Sequence, residues 1–296
     1  MANINITHKL VDGNNDFSDL IKHHSGDKTI PYKVVNGEEL LMSWFFPKDY
    51  SKDKKYPVMI YIHGGGWNSR EIMADETSWQ GDYFGVNARH DANNGFVAVS
   101  VSYRLEREHA EGYQIIDCCD DCFDAVDYIL DHAQEYAIDT ENVYVIGESA
   151  GGHLAGLLAT DYKRDGFKFK AAFLGNPVLY FEGDPDFCYI PSSSTHPVWS
   201  KMDPKDYARS ISPLFHITPD TCPCILIHGA ADTCVNPNHS TLFFEKMCEA
   251  GLECELHLIE NTNHAFMLAE FTDNQNACRI AMEIVDDRLR RDGNLK

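Results

Sequence analysis

Residues 142–156 read NVYVIGESAGGHLAG. Val143 to Ile146 is an apolar run rich in β-branched residues, and it stops at Gly147. Small residues then lead into Leu154, Gly156, Leu157 and Leu158, a helix-like stretch. The turn between them offers one hydroxyl, Ser149, within Gly147-Glu148-Ser149-Ala150-Gly151. This is G-x-S-x-G in the strand-to-helix setting that the motif requires. Such a turn forces its central residue into strained backbone dihedrals, and flanking glycines remove side chains that would clash. The hydroxyl is pushed out at the carboxyl edge of the sheet. The N–H groups opening the next helix face developing negative charge.

Outward from this elbow, short apolar runs predict strands at Leu40–Phe46, Val58–His63, Phe96–Tyr103, Val143–Gly147, Phe169–Gly175, Ile225–His228 and Glu253–Ile259. Most are continuously apolar, as expected of strands covered on both faces. Between them, three- and four-residue apolar spacing predicts helices over 114–136, Pro237–Ala250 and Asn276–Arg290. Strands alternating with helices predict an α/β fold with a mostly parallel central sheet flanked by helices. One domain over 1–296 is expected. The stretch 181–221 lacks clear periodicity and is rich in Pro, Ser, Asp and aromatics. A segment that long is expected to form a cap or substrate-binding insertion.

The chain has 296 residues, 44% of them hydrophobic, enough for a sizeable core. A net charge of -21 argues against nucleic acid or an anionic membrane surface as partner. Neither a basic-then-apolar leader nor an apolar run long enough for a membrane span is evident, so the cytoplasm is the expected location. Ten cysteines then read as reduced thiols. Cys118-Cys119-Asp120-Asp121-Cys122 and Cys222-Pro223-Cys224 lack a second half at zinc spacing. No metal or organic cofactor is expected, and a homo-oligomer stays open.

A serine hydroxyl needs a base to take its proton. His264 follows the strand Glu253–Ile259, in the kind of loop where catalytic groups gather in open α/β sheets. His228 closes its own strand directly and reads as structural; His153, one turn into the elbow helix, reads as a packing or hydrogen-bonding residue. Asp232, in the loop after Ile225–His228, is the candidate that orients the base, with Glu260 as runner-up. The order Ser149, Asp232, His264 is that of nucleophile-elbow hydrolases. For the oxyanion, strand Val58–Ile62 runs into His63-Gly64-Gly65-Gly66-Trp67. Glycines let the backbone approach a substrate and turn its N–H groups inward. The expected donors are the backbone N–H groups of Gly65, Gly66 and Ala150. A phosphate loop would continue G-K-[ST], which Trp67-Asn68-Ser69 does not.

These segments, with Ser100–Leu105 (SVSYRL) and Asn263–Phe266 (NHAF), resemble the α/β-hydrolase superfamily over about residues 38–270. Within it they are similar to carboxylesterases with an HGGG loop. Hormone-sensitive-lipase-like esterases share HGGGW and GESAGG, but His228-Gly229-Ala230-Ala231-Asp232 followed by Val235 looks more like the feruloyl/acetylxylan esterase-like family. Asn236-Pro237 stands where Val-Pro is usual there, and the glycine frequent beside the histidine is missing from NTNHAF. The resemblance implies hydrolysis of short acyl esters, acetyl or feruloyl groups on plant-derived xylo-oligosaccharides. Trp67, Phe187, Tyr189 and Trp199 could form an aromatic surface for sugar or acyl group, or pack beneath the insertion. Alternatives are an arylformamidase, a general short-chain esterase or lipase, and a catalytically dead hydrolase fold serving as a binding protein.

Overall fold

The computed structural model of the chain describes residues 3–10, 26–68, 84–105, 113–181, 203–267 and 275–296. The strands described are β1 (Ile4–His8), β2 (Lys28–Val35), β3 (Glu38–Phe45), β4 (Tyr56–Ile62), β5 (Val97–Val101), β6 (Ile138–Glu148), β7 (Ala171–Gly175), β8 (Cys224–Gly229) and β9 (Cys254–Ile259). They form one sheet in the order β1-β9-β8-β7-β6-β4-β5-β3-β2. Pairing is parallel from β1 through β5 and antiparallel at β5–β3 and β3–β2. The helices described are α1 (Gly85–Asn93), α2 (Ile115–Asp131), α3 (Ala150–Thr160), α4 (Pro204–Ser210), α5 (Asn238–Glu249) and α6 (Gln275–Arg291).

The strands are apolar at successive positions because each feeds two cores. Val58, Ile60 and Ile62 of β4 face a cluster with Val99, Val145, Leu174 and Leu226, closed by α2, α3 and α5. Met59 and Tyr61 face the opposite cluster with Tyr144, Ile146, Phe173 and Ile225, closed by α1 and α6. Side chains of a strand alternate between faces, so a doubly covered sheet needs both sets apolar. Each fully buried Val, Leu or Ile contributes about 1.5–3 kcal/mol. Among the described residues, no helix is long and apolar enough to cross a membrane.

Register then places the functional loops. Ile62 lies beside Gly147, Glu148 beside Gly175, Gly175 beside Ile227, and Gly229 beside Ile259. The loops carrying residues 63–67, 149, 232 and 264 therefore leave the sheet at one edge, the carboxyl end of its parallel strands.

Four described elements were not expected. β1 is a half-exposed edge strand. β2 carries Pro31 and a register shift between Pro31 and Lys33; proline argues against a strand except at an edge or bulge. α1 buries Asn87 and Asp91 toward the core, which hides a helical apolar stripe. α4 is a seven-residue helix inside the stretch 181–221. It begins on Asp203, whose side chain accepts from the Lys205 amide, with Pro204 at the first helical position. Residues 182–202 of that insertion lie outside the described residues.

Candidate active site

β6 ends at Glu148 and α3 begins at Ala150, leaving Ser149 to make the turn at φ 58° and ψ −120°. A non-glycine residue holds such dihedrals only when its surroundings impose them. Here the Ser149 amide donates to the Gly175 carbonyl at 2.8 Å. A Cβ on Gly147 would sit on the Gly151 carbonyl, and one on Gly151 on the Ile62 and His63 carbonyls. The glycines of the motif are thus the condition for α3 to lie directly against β6 and the end of β4.

Ser149 Oγ is 2.8 Å from His264 Nε2, and His264 Nδ1 is 2.7 Å from Asp232 Oδ2. An ionised carboxylate only accepts, so Nδ1 carries the proton and Nε2 presents its lone pair to the serine hydroxyl. The Asp232 side chain is fully buried. Its Oδ1 accepts from the Cys234 and Val235 amides at 2.8 and 2.9 Å. Its Oδ2 also lies 3.4 Å from Nε2 of His228. Burial opposes the charge on Asp232, but hydrogen bonds from His228, His264 and the Val235 amide outweigh it and hold the carboxyl well below the usual range. His228 Nε2 is 3.0 Å from the Val235 carbonyl, so it must donate there, while Nδ1 meets the Ser240 hydroxyl at 2.8 Å. The geometry joins Asp232, rather than Glu260, to His264; the Glu260 amide donates to the His8 carbonyl on the β1 side.

The glycine loop follows β4. Gly65 and Gly66 both have positive φ, 99° and 60°, and Trp67 follows at 59°. The Tyr103 hydroxyl reaches the His63 carbonyl at 2.8 Å and the Gly64 carbonyl at 3.3 Å, and its ring stacks on His63 at 4.1 Å. Ala150 N–H belongs to the first turn of α3, where amides lack intrahelical partners. Of the two roles open to Trp67, an aromatic surface or packing beneath the insertion, its surroundings match packing. Its indole is 6% exposed and donates from Nε1 to His153 Nδ1 at 3.1 Å. It packs beneath Phe181 instead of offering a stacking face to solvent. Phe187, Tyr189 and Trp199 lie outside the described residues.

Three supporting residues escaped the sequence reading. Glu148, fully buried beside the serine, accepts from the Met267 amide at 2.8 Å and faces Asn176 Nδ2 at 3.5 Å. Burial pushes its carboxyl up to about 6, against the hydrogen bond from Met267 and the nearby His264. Asn176 Oδ1 in turn accepts from the Gly229 amide at 3.0 Å, tying β7 to the aspartate loop. Asn263 Oδ1 accepts from the Thr233 and His264 amides at 3.0 and 2.8 Å, joining the aspartate and histidine loops. A carboxyl one residue before a serine, and asparagines in glycine-poor loops, are too common in sequence to single out without the fold.

The BD-FAE family model matches residues 44–247, from β3 through most of α5. The chain belongs to the BD-FAE family. Among its curated relatives, this BD-FAE chain is similar to a putative α/β hydrolase of Acanthamoeba polyphaga mimivirus, 26% identical over 87% of the chain and 74% of the relative. It is also similar to the carboxylesterase NlhH of Mycobacterium tuberculosis, 30% identical over 43% of the chain and 33% of that protein. Among solved structures, Thermogutta terrifontis Est2 superposes with a TM-score of 0.74 at 26% identity, covering 91% of this chain and 94% of Est2. The same esterase is known phosphoramylated by tabun, again at a TM-score of 0.74, with 27% identity over 90% of this chain and 95% of Est2. With its α/β-hydrolase sheet and esterase relatives, this member of the BD-FAE family is a carboxylic ester hydrolase.

Proposed function

We propose that the chain hydrolyses short acyl esters through an acyl-enzyme on Ser149, with His264 as base and Asp232 as its orienting acid. The unbroken contact from Ser149 Oγ through the His264 ring to Asp232 Oδ2, at 2.8 and 2.7 Å, carries this reading. His264 Nε2 takes the serine proton as Oγ attacks the ester carbonyl. The carbonyl oxygen becomes an oxyanion held by the N–H groups of Gly65, Gly66 and Ala150. Asp232 stabilises the imidazolium. On collapse the alcohol leaves with the proton from His264; water, deprotonated by the same nitrogen, then releases the acid. Each oxyanion donor contributes roughly 3–4 kcal/mol of transition-state stabilisation.

For the substrate we favour acetyl or feruloyl groups on xylo-oligosaccharides, the chemistry implied by the resemblance of the His228–Val235 segment to feruloyl/acetylxylan esterase-like proteins. Short acyl groups are further favoured by the likeness to Est2, known with propionate and with butyrate bound. This reading keeps 1–296 as a single hydrolase domain with the stretch 181–221 as a cap or substrate-binding loop. Nine described cysteines are free thiols, in keeping with the cytoplasm. The test is turnover of p-nitrophenyl acetate and acetylated xylo-oligosaccharides by the purified protein and by Ser149→Ala. The unaltered protein should hydrolyse both and the variant neither, while remaining folded. Retained turnover in Ser149→Ala would end the assignment; preference for N-formylkynurenine would redirect it to an arylformamidase.

A further inference from the structure

The oxyanion loop has a mechanical difficulty. Gly64, Gly65 and Gly66 have no side chains with which to hold their peptide planes, yet oxyanion donors must be aimed before the reaction begins. The loop is gripped from outside at both ends. Upstream, Tyr103 stacks on His63 and reaches the His63 and Gly64 carbonyls. Downstream the grip falls on Trp67, which sits at φ 59°, a left-handed conformation unfavourable for an aromatic residue. Something must keep it there.

That something is His153. Trp67 Nε1 donates to His153 Nδ1 at 3.1 Å, and His153 Nε2 lies 2.6 Å from the Ile211 carbonyl. An indole N–H can only donate and a carbonyl can only accept, so the imidazole is neutral with its proton on Nε2. Burial agrees: it presses the His153 ring down to about 4, against the Ile211 hydrogen bond, with His239 and His216 adding to the fall. Edge contacts complete the clamp. Trp67 meets His153 at 5.3 Å and 84°, and Phe181 meets His153 at 5.2 Å and 89°. The Phe181 amide donates to Ser212 Oγ at 2.9 Å, one residue beyond Ile211. Ile211 itself caps α4. One buried line therefore runs from the glycine loop, through the elbow helix α3, to the α4 segment of the insertion.

We propose that His153 and Trp67 are positioning residues for the oxyanion hole, through which the α4 segment sets the aim of the Gly65 and Gly66 amides. The inference rests on the esterase reading above. Neither residue touches the reacting atoms; both act through the loop. An oxyanion is present only in transition states and tetrahedral intermediates, so a loosened loop lowers kcat and leaves KM nearly unchanged.

The experiment measures kcat and KM on p-nitrophenyl acetate, and the rate of labelling by a fluorophosphonate, for the unaltered protein, Trp67→Phe, His153→Phe and the double variant. Trp67→Phe keeps a ring in place and removes the N–H, so it judges the inference even if His153→Phe fails to fold. Each single variant should lose about 10-fold in kcat, with KM within about 2-fold and labelling slowed in parallel. The double variant should lose little more than either single one, because both break the same connection. An unchanged kcat in Trp67→Phe, or a loss confined to KM, would overturn the inference while leaving the esterase reading intact. So would losses that multiply in the double variant. An unaltered protein inert to both ester and fluorophosphonate would overturn the esterase reading and the inference with it.

Discussion

Replacing Asp232 by Asn tests the polarity of the whole proton path. The carboxylate has two faces: Oδ1 accepts from the Cys234 and Val235 amides, and Oδ2 accepts from His264 Nδ1 at 2.7 Å. An Asn keeps one oxygen, and two backbone amides 2.8 and 2.9 Å away hold it on their side. Its NH2 then faces His264 Nδ1 and lies near His228 Nε2, which already donates to the Val235 carbonyl. Two donors cannot share that space, so the His264 ring moves its proton to Nε2 and meets Ser149 with an N–H where a lone pair is needed. Where an acid of this kind has been exchanged for its amide, kcat falls about 10⁴-fold. At 1.36 kcal/mol per decade this is about 5.4 kcal/mol of transition-state stabilisation. The assay is kcat for p-nitrophenyl acetate near neutral pH, with circular dichroism to verify the fold. A loss smaller than about 10-fold in a folded variant would refute the assignment of Asp232 as the orienting acid.

Other perturbations have equally definite outcomes. Glu148 has its folded-state carboxyl raised from 4.5 to about 6 by burial, so the folded protein binds this proton more tightly than the unfolded chain. Its contribution favours the fold below about pH 4.5 and is lost as the pH rises through 6. Glu148→Gln should therefore gain about 1.6 kcal/mol relative to the unaltered protein between pH 4.5 and 7.5, read from urea unfolding at both values; an equal difference at the two pH values would contradict this. Tyr103→Phe withdraws the hydroxyl from the His63 and Gly64 carbonyls and should cost about 1–3 kcal/mol of stability. It should also lower kcat on p-nitrophenyl acetate several-fold, and a variant with unaltered kcat would remove Tyr103 from the support of the oxyanion loop.

The strands around the site were legible because parallel strands covered on both faces leave continuous apolar runs, as in β4 and β8. The elbow was legible because the turn needs small neighbours, and GESAGG carries them on the page. β1 and β2 were not, since edge strands are free to carry exposed polar residues and, in β2, a proline at a bulge. α1 was hidden by Asn87 and Asp91, which face the core where a helix usually shows apolar residues; Asp91 is accommodated by the Tyr61 hydroxyl at 2.5 Å. Within the site, residue type and order were enough to single out Ser149, Asp232 and His264 as candidates, because few side chains can serve in that chemistry, and the fold brings the three into hydrogen-bond contact. Glu148, Asn176 and Asn263 act through backbone amides brought close only by folding, and such partners leave no local trace. For Trp67 the sequence left two roles open, an aromatic surface for substrate or packing beneath the insertion, and only the fold, which turns the indole inward onto His153, separates them.

The central claim is that one hydroxyl among many in this chain is made nucleophilic by His264. It is tested most directly by treating the protein with a fluorophosphonate and locating the adduct by peptide mass spectrometry. A single stoichiometric adduct on Ser149, lost in His264→Ala, is the result expected. An adduct on another residue, or none on a folded protein, would contradict the account.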